Sequence, residues 1–220
     1  MALVIAHRTA GALAAENSLE GIERAAFCRA DWVELDVRLS RDGELVLMHD
    51  ESLNRTTSGC GPVGELSLEE LKCLKLRNRD GSLDQPTLKE AVSLARELKL
   101  GLVLEMKEEG LEGLVAESVS GEDCMVTSFY HASLRELSQI SCLKTGIIIS
   151  ALPINPVRLA LEAEACAIFP RPRRVNARLF KEAHQQGLAV YPWTVNSREE
   201  ANWILRLGAD GLVTDDPCLV

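Results

Sequence analysis

The stretch VELDVRLSRDGELVLMHD, residues 33–50, decides how this chain folds. Two apolar runs, 32–38 and 45–49, are separated by little more than Ser40-Arg41-Asp42-Gly43. An Asp-Gly pair between such runs signals a tight hairpin. Parallel neighbours need a crossover of roughly a dozen residues, which this link cannot supply. The second run must therefore return antiparallel to the first, as an arm rather than as a member of a parallel sheet.

Outward from this arm the pattern alternates. Leu3-Val4-Ile5-Ala6 is apolar, and further runs recur at 101–106, 124–128, 144–149, 165–169, 188–195 and 210–214. Helical patterns lie between them near 87–99, 111–120, 131–140, 155–164, 176–187 and 197–207. Cap signals open several: Thr87 with Glu90, Asn176, and Ser197 with Glu200. Gly101 and Gly187 end helices and open strands. Near-continuous apolar strands separated by helices mean a parallel sheet covered on both faces. With the arm set aside, the parallel strands are 2–7, 32–38 and the six just named. Eight is the count of a closed (β/α)8 TIM barrel, an α/β fold. The reading is one domain over 1–220, with 51–86 as a small inserted cap at the barrel mouth. The cap holds a Gly-rich turn (Ser58 to Pro62), an amphipathic helix from Ser67 to Leu74 and a polar loop through Asp80-Gly81. Leu66, Leu68, Leu71 and Leu74 should pack inward. Six residues follow Thr214, so the eighth helix is missing or vestigial. The seam between helices seven and one is then thinly covered, and a homodimer is expected there.

At 46% hydrophobic residues the chain can build a sizeable core, while a net charge of −9 argues against nucleic acid or an anionic membrane as the main partner. No basic segment followed by a long apolar one suggests a signal peptide, and no run approaches a membrane-spanning length. The seven cysteines include no CxxC pair and stand mostly in apolar contexts, so they read as small buried hydrophobes and a cytoplasmic location is expected.

In such a barrel the active site lies at the C-terminal strand ends. That brings together His7 and Arg8 from the first strand, Glu34 and Asp36 from the second, and Glu105 and Lys107 from the third. Ser128 ends the fourth, Trp193 the seventh, Asp215 follows the eighth, and His49 ends the arm over the mouth. Glu34 and Asp36 are two apart and share one strand face. Ionisable groups at buried strand ends cost stability unless paired or bound to metal. Three converging carboxylates read as a hard-cation site for Mg2+ or Ca2+. Arg8 and Lys107 suit a phosphate or carboxylate on a substrate. Among other polar residues, Asn17 with Glu20 reads as a helix cap, His131 as a helix start, His184 as structural, and Asp215 and Asp216 as anchors of the closing loop. Arg171, Arg173 and Arg174 follow the sixth strand among prolines. As a loop at the mouth they are expected to attract anionic headgroups such as a phosphorylated inositol or a polyglycerophosphate.

The segments AHR (6–8), AEN (15–17), VELDVRLSRDGELVLMHD (33–50), LNRTTSGCGPV (53–63), LEMK (104–107), TSF (127–129), AHQQGLAVYPWTVN (183–196) and DGLVTDDP (210–217) make the chain resemble the glycerophosphodiester phosphodiesterases. These are related more distantly to phosphatidylinositol-specific phospholipase C. The resemblance runs in family order over essentially the whole chain. It implies metal-dependent hydrolysis of small glycerophosphodiesters to sn-glycerol 3-phosphate and an alcohol. His7 and His49 would be the acid–base pair, Glu34, Asp36 and Glu105 the metal ligands, and Arg8 and Lys107 the phosphate grip, with Trp193 on the glycerol side. Other readings are a lysophospholipase D or a phospholipase-C-like lyase forming a cyclic phosphate, and a non-catalytic phosphodiester-binding barrel. The polar insertion favours a water-soluble substrate. One departure stands out: Thr9 follows His7-Arg8 where the family has glycine, so this turn must either differ or tolerate a β-branched residue.

Overall fold

In the computed structural model, residues 2–77, 83–151 and 153–219 are described. Nine strands occur among them: β1 (Leu3–Ala6), β2 (Trp32–Leu39), β3 (Leu45–Leu47), β4 (Gly101–Met106), β5 (Cys124–Ser128), β6 (Lys144–Ile149), β7 (Ala167–Pro170), β8 (Ala189–Val190) and β9 (Gly211–Thr214). Eight run parallel in the order β8-β7-β6-β5-β4-β2-β1-β9. The backbone amides of Asp210 and Val213 donate to the carbonyls of Val190 and Pro192, and Val195 donates to Val213, so the ring nearly closes. This is the expected TIM barrel.

The arm is also as expected. β3 pairs antiparallel with β2, Val37 facing Leu47 and Leu39 facing Leu45. Gly43 takes the positive φ, +87°, that this turn requires. Alternation along the arm makes it a two-sided wall. Leu45 and Leu47 join the core between staves and helices, whereas Val46 and Met48 pack with Leu53, Val63 and Leu71 beneath the inserted cap. Leu66, Leu68 and Leu74 close over that second core, so the cap's leucines do turn inward. His49 follows on the side of Leu45 and Leu47, toward the barrel.

The helices are α1 (Leu19–Phe27), α2 (Leu68–Lys72), α3 (Leu88–Leu98), α4 (Glu112–Ser118), α5 (His131–Ile140), α6 (Pro156–Glu162), α7 (Ala177–Gln185) and α8 (Arg198–Leu207). Thr87, Asn176 and Ser197 cap α3, α7 and α8 through their side chains, and Ser67 forms a capping box on α2. Barrel interior packing comes from Ile5, Val103, Met125, Ile148, Phe169 and Val213.

Several expectations need correction. The stave expected over 188–195 is a strand only at Ala189–Val190; Pro192 brings no amide to continue the ladder. Asn17 is not the cap of α1. Ser18 accepts the Gly21 amide and fills that position. The cysteines are not mainly buried hydrophobes. Cys28 and Cys218 form a disulfide, Cys60, Cys73 and Cys142 are exposed, and of the unpaired cysteines only Cys124 is fully buried. The polar loop through Asp80-Gly81 lies outside the described residues.

The 3-10 turn Pro217–Leu219 follows β9. The disulfide ties this turn to the end of α1, and Arg198 Nε donates to the Leu219 carbonyl at 2.7 Å. A disulfide and a hydrogen bond thus tie this turn to α1 and to α8. Among the described residues no helix is long and apolar enough to cross a membrane.

Candidate active site

β1 ends in a turn that aims His7 and Arg8 into the mouth. Arg8, Thr9 and Ala10 all take left-handed φ, +46°, +60° and +65°. Such a conformation costs an L-residue about 1–2 kcal/mol. Local contacts offset that cost. The Arg8 amide donates to Glu34 Oε2 at 2.7 Å, and the Ser18 amide donates to Thr9 Oγ1 at 3.1 Å. Gly21 of α1 presses against the Thr9 carbonyl and side chain, where a Cβ would overlap them. The turn therefore demands the positive φ for which glycine is suited, and the fully buried Thr9 adopts it.

Register then assembles the carboxylates. β2 and β4 are parallel neighbours with Asp36 level with Glu105, while Glu34 shares the Asp36 face. All three are buried, and one oxygen from each lies within 4.8 Å of the others. Two of their oxygens, Glu34 Oε1 and Asp36 Oδ1, have no hydrogen-bond partner. Asn17, the misassigned cap, turns inward instead: its amide donates to Asp36 Oδ2 at 2.8 Å, and its carbonyl accepts the Asp36 amide at 3.0 Å. Lys107 Nζ lies 2.5 Å from Glu105 Oε1 and 3.4 Å from Asp36 Oδ1, and Arg8 Nε lies 3.6 Å from Asp36 Oδ2.

Three carboxylates thus face two cationic side chains. Burial and the neighbouring Asp36 charge push Glu34 up to about 8. The same two causes raise Glu105 in spite of Lys107. Burial also opposes ionisation of Asp36, but Lys107, His49 and Arg8 outweigh it and hold Asp36 low. Like charges this close cannot all ionise without a further cation. Orphaned, buried oxygens converging on one point are the donor set that a hard divalent cation takes.

Both histidines are held by a carboxylate through Nδ1. His7 Nδ1 lies 2.6 Å from Asp215 Oδ1, and Asp215 is steadied by Asn196 Nδ2 at 2.6 Å. His49 Nδ1 lies 2.6 Å from Asp50 Oδ1. Asp50 also accepts Arg55 Nε at 2.6 Å, and Arg55 forks onto both Glu16 oxygens at 2.8 and 2.6 Å. Asp50 therefore shares its charge with a guanidinium, whereas Asp215 has only a neutral amide beside His7. The two rings respond oppositely. Burial lowers the pKa of both; for His7 the Asp215 hydrogen bond and the Glu34 charge overcome it and raise the value, but for His49 burial prevails.

Trp193 completes the wall. Its Nε1 donates to the Phe169 carbonyl at 2.7 Å, its ring centroid lies 6.4 Å from that of His7, and Phe129 meets it edge-on at 5.8 Å. His7, Glu34, Glu105, Phe169 and Trp193 line a small cavity of about 20 Å³ at the barrel end.

A family model described as the glycerophosphoryl diester phosphodiesterase family matches residues 7–219. The chain belongs to that family. A glycerophosphodiester phosphodiesterase of Caldanaerobacter subterraneus subsp. tengcongensis is 35% identical over 98% of this chain and 94% of its own length. One of Bacillus altitudinis is 30% identical over 99% and 96% respectively. Among solved structures, an Oleispira antarctica phosphodiesterase in complex with the product sn-glycerol-3-phosphate superposes with a TM-score of 0.91 at 28% identity, covering 98% of this chain and 94% of that one. The protein is thus an enzyme, a glycerophosphodiester phosphodiesterase, and the non-catalytic barrel is set aside.

In this phosphodiesterase the structure gathers all eight residues singled out by sequence, His7, Arg8, Glu34, Asp36, His49, Glu105, Lys107 and Trp193, at one barrel end. Ser128 does not reach the site by its hydroxyl, which donates to the Met106 carbonyl at 2.8 Å. His131 opens α5 as expected, with Nε2 3.0 Å from the Ile148 carbonyl, and the exposed His184 pairs with Asp210 at 3.0 Å. Sequence reading missed the supporting residues Glu16, Asn17, Asp50, Arg55 and Asp215. Four of them stand inside the quoted AEN, HD and LNRT segments, where Asn17 was read as a helix cap and the other three were given no role. Asp215 was read only as a loop anchor.

Proposed function

We propose that the enzyme hydrolyses water-soluble glycerophosphodiesters to sn-glycerol 3-phosphate and an alcohol, using Mg2+ or Ca2+ held by Glu34, Asp36 and Glu105, with His7 and His49 as the acid–base pair. One observation carries the reading: three buried carboxylates, two of whose oxygens make no hydrogen bond, converge beside the cationic Arg8 and Lys107. Fully ionised, this set has one negative charge in excess. A divalent cation turns that into one positive charge, which a singly charged phosphodiester neutralises. Bound there, the cation supplies Lewis-acid polarisation of a non-bridging oxygen.

The remaining steps belong to side chains. Arg8 and Lys107 orient the phosphate and offset charge that develops on its oxygens. His49, whose pKa burial lowers, takes a proton from the attacking water at Nε2. His7, whose pKa Asp215 helps to raise, gives the proton of its Nε2 to the departing alkoxide. Trp193 packs against the glycerol carbons.

The test is release of glycerol 3-phosphate from a panel of headgroups with Mg2+, Ca2+ or chelator. Activity that survives EDTA, or no release from any diester, overturns the reading. A second reading, lysophospholipase D action, is favoured by one observation: Leu13, Phe129 and Tyr130 stand exposed on loops that follow β1 and β5 at the mouth. Choline-free lysophosphatidate formed from lysophosphatidylcholine would establish it. The homodimer expected at the α8–α1 seam would cover Phe27, which is 80% exposed beside the Cys28 disulfide; a concentration-independent monomer mass in light scattering rules it out.

A further inference from the structure

The turn after β7 carries three arginines that the proposed chemistry does not use. Arg171, Arg173 and Arg174 are exposed and line a cavity of about 400 Å³ together with Ser150, Thr194 and Glu200. None of the three pairs with a carboxylate among the described residues, in contrast to Arg8, Arg38, Arg41 and Arg55. Glu200 is the one carboxylate in that lining, so the cavity holds an excess of two positive charges in a protein of net charge −9. Arg171 lies over the indole of Trp193, its guanidinium carbon 3.8 Å from the ring centroid. The stack removes rotamer freedom from a side chain that is otherwise among the most mobile.

Trp193 is therefore a shared wall. Its ring lines the catalytic cavity with His7, Glu34 and Glu105, and its neighbour Thr194 lines the arginine cavity. With 6.4 Å from His7 to the Trp193 ring and 3.8 Å from that ring to Arg171, the guanidinium stands no more than about 10 Å from His7. A polyol that carries two phosphates can bridge such a span. Arginine's planar fork is suited to phosphate oxygens, and the Ser150 and Thr194 hydroxyls flank it as further donors.

We propose that Arg171, Arg173 and Arg174 form a second phosphate subsite beyond Trp193, so that the preferred substrates are glycerophosphodiesters bearing an additional phosphate group. The assignment rests on the hydrolytic reading above and narrows its substrate class. The phosphate it takes can belong to a soluble diester or to a lipid headgroup, and the two sources are separated by experiment.

The variant is R173Q/R174Q, which keeps Arg171 on Trp193 and alters only exposed side chains. Its kcat/KM is compared with that of the unaltered enzyme on glycerophosphocholine and on glycerophosphoinositol 4-phosphate. The unaltered enzyme should favour the phosphorylated diester by about tenfold, and the variant should lose that preference while keeping its rate on glycerophosphocholine. Raising ionic strength should erode the preference in the same way. Equal kcat/KM on both diesters in the unaltered enzyme overturns the subsite. Calorimetric titration with inositol 1,4-bisphosphate reads it without turnover: binding should weaken about tenfold in the variant, and equal binding overturns it. Failure to hydrolyse either diester with that binding intact would count against the hydrolytic reading alone. Co-sedimentation with phosphatidylinositol 4-phosphate vesicles forms the last arm. Vesicle binding that depends on Arg173 and Arg174, without a preference among soluble diesters, would make the cluster a lipid-surface contact and overturn the substrate subsite.

Discussion

Asp215 Oδ1 lies 2.6 Å from Nδ1 of His7, joining residues 208 positions apart across the neighbouring staves β9 and β1. Closure of the barrel is what brings the two together. The carboxylate holds the ring through Nδ1 and favours its protonated form, so in the proposed reaction it would act through His7 rather than by touching substrate.

Asp215→Asn keeps the shape and removes the charge. The His7 pKa should fall, since the hydrogen bond and charge of Asp215 help hold it above its ordinary value. As the acid, His7 must be protonated, so the high-pH limb of the kcat profile should move to lower pH. At neutral pH kcat should drop by about a hundredfold with little change in KM. An unmoved limb would show that His7 is not the acid.

Glu34→Gln should separate stability from function. In chelator it relieves the repulsion between buried carboxylates, so Tm should rise above that of the unaltered protein. The amide oxygen can still accept from the Arg8 amide. Mg2+ or Ca2+ should then no longer raise Tm, and kcat should fall by about a thousandfold. Thermal scans with and without metal, paired with activity, measure both halves.

Without metal, stability should fall as pH climbs from about 5 to 8. Glu34, ordinarily at 4.5, stands at about 8 in the folded protein, so the folded state holds a proton that the unfolded state has lost across that interval. His7, raised above 6.5, acts in the same direction from its ordinary value upward. His49, lowered below 6.5, opposes them beneath that value. Saturating divalent cation should flatten the slope, and its binding near pH 7 should release a proton. Calorimetry in buffers of different ionisation enthalpy detects that proton; none released would contradict a raised Glu34.

Gly21→Ala should destabilise the protein by about 2–4 kcal/mol, because the new Cβ would overlap the Thr9 carbonyl and side chain. Adding Thr9→Gly should not rescue it, since the carbonyl oxygen remains. Urea denaturation of the two variants is sufficient; full rescue would place the conflict in the Thr9 side chain alone.

Replacing Cys28 and Cys218 by serine should cost up to about 5 kcal/mol, given a closure of 190 residues. Either single replacement should cost nearly as much as both, as expected for one shared bond. Denaturation midpoints with and without reductant should converge only in the variants.

The amino-acid sequence by itself determined the stave count, the hairpin arm and the identity of the metal, phosphate and acid–base candidates. These follow from local signals: apolar runs of strand length, an Asp-Gly link too short for a crossover, and ionisable residues at strand ends. The two-residue spacing of Glu34 and Asp36 settled their common face before any fold was known. Only the tertiary structure decided what supports them. Asn17 and Ser18 are both good helix caps; which one caps α1 depends on Asp36, nineteen positions on, claiming Asn17. Thr9 keeps a left-handed backbone because Glu34, Ser18 and Gly21 converge around its turn. Asp215 was legible as a loop residue but not as the partner of His7, and the cysteine pattern did not foretell the Cys28–Cys218 bond. Local patterning specifies which face of an element is buried, whereas contacts between the first strand and the last exist only once the barrel closes.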